Sequence, residues 1–193
     1  MIPHVGRTVV PGGTSPGAYP LDSKVSNMSR GFVKESDQET LPIIPLRAPL
    51  PAGAINYVTP SGMAALESER AALEAEKANL QHENEDERRR ATTVIDGKLN
   101  LLSQRISSAR ILRPEDQPHD EVRFGASVKL RQSPGNRITE FRIVGVDEAN
   151  VKEKRISFTA PIAQAITGLR VGERADFQLG KEMRKLEVLA IRY

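Results

Sequence analysis

The sequence predicts an α+β protein in which an antiparallel helical hairpin, a short coiled coil, precedes a small antiparallel β domain with one short helix. Three observations predict it. No proline lies between Pro60 and Pro114, and that stretch is dominated by Ala, Leu, Glu, Lys and Arg, all good helix formers. Apolar residues recur within it at heptad spacing. Beyond residue 120 short runs of alternating apolar and charged residues are divided by turn residues.

The first 56 residues hold 8 of the 13 prolines and 6 of the 14 glycines. The run Leu41-Pro-Ile-Ile-Pro-Leu-Arg-Ala-Pro-Leu-Pro51 fixes φ repeatedly and removes backbone donors, so it is expected to be extended and unpaired. Residues 1–56 therefore read as a disordered tail, with a Pro-rich docking strand for a partner as the alternative.

Residues 57–113 form the hairpin. Met63, Leu66, Leu73 and Leu80 lie on one stripe, completed by Arg70 and Lys77, and Ser61 can cap the start. Ile95, Leu99, Leu102, Ile106 and Ala109 step by 4, 3, 4 and 3, a second a/d seam. The charged stretch Glu83-Asn-Glu-Asp-Glu-Arg-Arg-Arg90 separates the two, which places the turn near Asn84–Glu87. One continuous helix in a dimeric coiled coil is the competing reading, because no Gly or Pro breaks the tip. Residues 114–120, with two prolines and three acids, read as a linker.

The β domain spans 121–193. Val128 and Leu130 alternate with Lys129 and Arg131, Ser133-Pro-Gly-Asn136 is a turn, and Ile138–Val146 is a second strand. Ile156–Thr159 is β-prone, Pro161 opens a helix over Ile162–Thr167 that Gly168 ends, and Leu186–Ile191 is the last strand.

Composition narrows the function. The chain has 193 residues, a net charge of +3, 4% aromatic residues and no Trp. Zero Cys excludes disulfides, thiolate metal sites and a Cys nucleophile. His4, His82 and His119 lie too far apart in sequence for a His-rich metal site, and no chemistry is assigned to them. No apolar run approaches the roughly 20 residues a membrane span needs, and no signal peptide is visible, so a cytoplasmic protein is expected. Residues 121–193 carry 14 basic and 9 acidic side chains, which suits nucleic acid or an acidic protein surface. The basic residues are scattered and not interleaved with aromatics, which favours protein.

The segments Phe141-Arg-Ile-Val-Gly-Val-Asp-Glu-Ala149, Ile156-Ser157, Pro161-Ile-Ala-Gln-Ala-Ile-Thr-Gly168 and Val171-Gly172-Glu173 resemble the C-terminal domain of bacterial Gre transcript-cleavage factors. The family's Ser before the proline is Ala160 here. Thr59-x-x-Gly62-x-x-x-Leu66 resembles the opening of the family's helical finger, and Gly97-Lys-Leu-x-x-Leu-x-x-Arg-Ile-x-x-Ala109-x-Ile-Leu112 its close. The resemblance covers 57–193. Met28-Ser-Arg-Gly-Phe-Val-Lys-Glu35 resembles the opening of a short-fingered subfamily, so translation is expected to start at Met28.

The resemblance implies a coiled-coil finger and an FKBP-like domain that docks on RNA polymerase beside its secondary channel. It implies no enzyme activity of the chain's own. At most the chain stimulates the polymerase's nuclease, with acidic tip residues helping to hold the polymerase's Mg²⁺, a metal that favours hard oxygen ligands. Contact with nucleic acid is implied only within the transcription complex. Asp147, Glu148, Pro161, Ile162 and Ala163 match the family's polymerase contacts, with Asp147 and Glu148 expected to be exposed in a loop. Glu85 and Asp86 are the tip candidates. The family's Gly-Asp-Leu-Lys-Glu-Asn tip string is absent, and the finger is about a dozen residues shorter than the family's, or about 9 Å per helix at 1.5 Å rise per residue. The expected function is therefore a polymerase-binding elongation regulator with weak or no stimulation of cleavage. A true cleavage factor and a relative of the nucleoside diphosphate kinase regulator are the alternatives. A peptidyl-prolyl isomerase, suggested by fold alone, lacks a visible aromatic-lined pocket.

Overall fold

The computed structural model of the chain describes residues 42–81 and 84–193. The chain divides into two units, Met1–Thr40 and Leu41–Tyr193, and every described residue belongs to the second. The expected start at Met28, and the tip residues His82 and Glu83, lie outside the described residues.

Helix α1 spans Pro60–Ala78 and helix α2 spans Glu85–Ser107. Strand β1 (Asn56–Val58) precedes α1, and β2 (Ala109–Ile111) follows α2. The two strands pair in parallel, Asn56 opposite Ala109 and Val58 opposite Ile111. The helix pair is thus closed at its base by backbone hydrogen bonds, and the helices run in opposite directions between that base and their short connection. Leu66, Leu73, Ile95 and Leu102 form the buried seam with Val58, and Met63, Leu80, Leu99 and Ile106 pack around them. This is the stripe that the heptad spacing predicts.

Two details differ from the sequence reading. The helix cap is Thr59, whose Oγ1 accepts from the Gly62 amide at 3.0 Å, and Ser61 lies inside the first turn. The connection lies at 79–84, earlier than expected, because Asn84 caps α2 by accepting from the Asp86 amide. Glu85, Asp86 and Glu87 then fill the first turn, where carboxylates complement the helix dipole.

The rest of the chain builds one five-stranded sheet. Its strands are β3 (Ser127–Ser133), β4 (Arg137–Val144), β5 (Arg155–Ser157), β6 (Arg174–Leu179) and β7 (Glu182–Arg192), in the order β5-β4-β3-β7-β6. All neighbours are antiparallel except β4 and β5, which pair in parallel, Val144 opposite Ser157. The expectation of a purely antiparallel sheet is corrected at this edge, since a crossover through 145–154 returns the chain in the same direction. Helix α3 (Pro161–Ile166) buries Ala163 and Ile166 among Val128, Leu130, Phe141, Ile143, Leu186 and Val188. Strand β6 escapes the sequence reading because this edge strand is mostly exposed, with only Ala175 and Phe177 half-buried.

Residues 114–120 pack more tightly than a linker would. A single 3-10 turn, Pro114–Asp116, buries Pro114, and the His119 ring stacks on Tyr193 at 4.8 Å. Residues 42–55 likewise depart from the disordered-tail reading. They lie as an irregular strap on the helix pair, and Asn56 is nearly fully buried, its side-chain amide donating to the Arg105 carbonyl at 2.9 Å. The tail reading for residues 1–41 lies outside the described residues.

Candidate functional site

The parallel pairing of β4 and β5 has a direct consequence for the loops singled out in the sequence. Residues that follow parallel strands leave the sheet at the same end. Gly145–Ala149 after β4 therefore lies beside Phe158–Pro161 after β5, and the Phe158 amide donates to the Val144 carbonyl at 2.9 Å. The base of the helix pair meets the sheet here. Tyr57 of β1, Phe124 and Phe158 form a triangle of rings with centroids 5.8–6.0 Å apart.

Within this junction Asp147 and Glu148 are not the exposed loop carboxylates that a turn after a strand suggests. Glu148 folds back onto the start of α1. Its Oε1 accepts from the Thr59 amide at 2.9 Å and the Gly145 amide at 3.2 Å, and Thr59 Oγ1 donates to Oε2. Thr59 thus links the cap of α1 to the loop after β4. The carboxylate occupies the space that a side chain at position 62 would need, since a Cβ there would lie 2.1 Å from the Glu148 carboxyl carbon. The spacing Thr59-x-x-Gly62 is, in this fold, the receptor for Glu148.

The Asp147 side chain is only 6% exposed. Arg47 Nε donates to its Oδ1 at 2.9 Å. Arg47 also grips Glu69 of α1 through both terminal nitrogens, at 2.8 and 3.1 Å. The hydrogen bond to Glu69 is the main influence raising the Arg47 pKa, burial opposes it, and Asp147 adds to it. Arg105 Nε of α2 stands 3.1 Å from Asp147 Oδ2, yet that oxygen accepts no aligned hydrogen bond. The Arg105 guanidinium also donates to the Ala48 carbonyl. Strap, both helices and the loop after β4 therefore meet at one carboxylate.

The remaining candidates divide. Pro161 is exposed at the start of α3, Ile162 is half-buried against the sheet core, and Ala163 is fully buried and cannot contact a partner. Val151, in the loop between β4 and β5, is 83% exposed. At the tip, Glu85 pairs with Arg88 at 2.7 Å and Asp86 with Arg89 at 2.8 Å, each one helical turn on. Among the described residues no group of three or more His, Asp or Glu side chains could hold a metal, and no helix is long and apolar enough to cross a membrane.

Sequence reasoning missed Arg47, Glu69 and Arg105. Arg47 and Asp147 are 100 residues apart, and a lone arginine in a Pro-rich run carries no signal of its partner. The Thr59 and Gly62 positions were legible as a pattern, but their shared partner Glu148 was not.

The family model described as "Transcription elongation factor, GreA/GreB, C-term" matches residues 117–193. Transcription elongation factor GreA of Acidiphilium cryptum is 33% identical over 105 residues, covering 54% of this chain and 67% of that protein. GreA of Methylococcus capsulatus is 33% identical over 100 residues, 51% of this chain and 63% of that one. The chain thus spans about two thirds of the length of these relatives. The crystal structure of GreA factor homolog 1 of Thermus thermophilus aligns with 72% of this chain and 100% of its own at 20% identity and a TM-score of 0.34.

Proposed function

The chain belongs to the GreA/GreB family of transcription elongation factors, and from that premise we propose that it binds RNA polymerase beside the secondary channel through the sheet end where the two loops meet. The observation that carries this reading is the parallel β4–β5 pair, which gathers 145–149 and 158–161 at one end, next to the base of the helices. The exposed surface there is supplied by Pro161, with Ile162 at its margin. Asp147 and Glu148 hold the loop in place from inside. The sheet and α3 serve as an FKBP-like docking domain, and α1 with α2 serves as the coiled-coil finger entering the channel.

The same reading assigns weak or no stimulation of transcript cleavage. Glu85 and Asp86 would have to leave Arg88 and Arg89 before serving as ligands to the polymerase's Mg²⁺, and the finger is about 9 Å shorter per helix than the family's at 1.5 Å per residue. The chain is then a regulator without enzyme activity, and the relationship to the nucleoside diphosphate kinase regulator fits the same docking. The acidic first turn of α2 favours the second reading, a genuine cleavage factor.

The test is transcript cleavage on a stalled elongation complex, run beside a polymerase pull-down. Binding with cleavage no faster than polymerase alone is the expected outcome. Absence of binding removes the proposal, and robust cleavage abolished by Asp86→Asn replaces it with the second reading.

A further inference from the structure

The segment 42–50 is attached to the molecule in an uneven way. Pro42, Pro45 and Pro49 remove donors, and among the described residues the segment makes no backbone–backbone hydrogen bond to the rest of the chain. It is held by the Arg47 guanidinium, by the Ala48 carbonyl and by Ile44, whose side chain fills the space above Gly97. Its other large apolar residues are open to solvent: Ile43 is 90% exposed, and Leu46, which lines the groove below, is 86% exposed. Under it lies an incompletely filled groove of about 440 Å³, floored by Leu73, Leu101, Val146 and Asp147. Asp147 at that floor accepts from Arg47 through Oδ1, and its Oδ2 stands 3.1 Å from Arg105 Nε.

We propose that residues 42–50 are a displaceable cover on this groove, and that the groove takes an extended partner segment carrying an aliphatic side chain beside a cationic one. The floor chemistry selects that partner. Leu73, Leu101 and Val146 offer apolar surface, and Glu69 and Asp147 offer the carboxylates that hold the Arg47 guanidinium, so an aliphatic residue and an arginine or lysine are matched together. The strap itself lines the groove with the same pair, Leu46 and Arg47. Tethering gives it a local concentration of roughly millimolar, so it wins over a dilute partner until its ionic hold is loosened. Identifying the partner as a segment of RNA polymerase rests on the docking reading above. The cover and the groove do not.

The experiment uses the full chain and a fluorescent synthetic peptide of residues 42–51 as the probe, with no polymerase present. Its outcome is therefore separate from that of the pull-down. Arg47→Ala disarms the cover, and the expected result is peptide binding at least tenfold tighter than to the unmodified chain. Ile44→Ser, which releases the cover at its other hold, should act in the same direction. A peptide with alanine in place of its arginine should bind the Arg47→Ala chain at least tenfold more weakly. In the unmodified chain, peptide at about millimolar concentration should speed amide exchange over residues 43–48, a readout that needs no folded variant. Equal peptide affinity for the unmodified and Arg47→Ala chains, or exchange over 43–48 indifferent to peptide, overturns the proposal. A lowered melting temperature with no gain in peptide binding does the same and leaves the strap as a brace.

Discussion

An alanine at position 62 would bring its methyl carbon to 2.1 Å from the Glu148 carboxyl carbon, and one at position 97 would bring it to 2.2 Å from Ile44 Cδ1. The two contacts are equally tight, but their neighbours differ in freedom. Glu148 is held by three donors and cannot turn aside without leaving them unpaired. Ile44 is the end of a flexible side chain on a lightly held strap. Gly62→Ala should therefore cost about 1–3 kcal/mol in denaturant unfolding and Gly97→Ala less than about 1 kcal/mol. Equal costs would mean that Glu148 is not fixed as described. Tyr193 gives a pH test at the same scale. Its hydroxyl donates to the Glu121 carbonyl at 2.7 Å and accepts from the Arg123 amide at 3.0 Å. Burial is the largest influence and raises its pKa above 10.0, with the Arg123 hydrogen bond opposing. A phenol that ionises less readily folded than unfolded contributes stability below its unfolded pKa, and that stability is lost as pH rises through the folded value. Between about pH 9 and pH 11 the unmodified chain should lose more stability than Tyr193→Phe, and parallel losses would contradict this.

The helix pair depends on its seam far more than on its surface charges. Leu102 is fully buried between the helices. Leu102→Ala should destabilise by about 2–5 kcal/mol, the range for a truncated core leucine. Lys77 and Asp96 bridge the helices at 2.6 Å but are both nearly half exposed. Water and salt screen such a pair, so Asp96→Asn should change stability by no more than about 1 kcal/mol. Thermal melts of both variants check the ranking, and a larger loss in Asp96→Asn would reverse it.

Within Leu41–Tyr193 the base of the helix pair meets the sheet, and that junction gathers Arg47 and Arg105 around Asp147. Asp147→Arg would place a third cation beside Arg47 and Arg105, all three side chains being largely buried. Breaking a buried pair this way typically costs about 3–5 kcal/mol, so the melting temperature should fall sharply. Unchanged stability would return Asp147 to the surface role read from its sequence position. On the proposed function, excess chain should slow the cleavage that a longer-fingered family member drives on a stalled complex, because both would share one docking surface. Undiminished cleavage under saturating chain would count against that shared surface.

Features governed by local spacing were legible in the residues alone. The heptad stripe from Met63 to Ile106, the alternation through Val128 and Leu130, and the Pro161-to-Gly168 helix are repeats read within a few residues, and each reappears in the fold. The family was legible because its motifs are contiguous. Pairings between distant residues emerged with the folded chain: β1 with β2, Glu148 with Thr59 and Gly62, Arg47 with Asp147. Asp147 and Glu148 read as exposed because a Gly and an acidic pair after a strand usually turn into solvent. The direction in which the helices leave the sheet is set by non-local packing, and it turned both carboxylates inward. A side chain's burial depends on what the rest of the chain brings to it, and no property of residues 145–149 alone encodes the arrival of Thr59, Arg47 and Arg105.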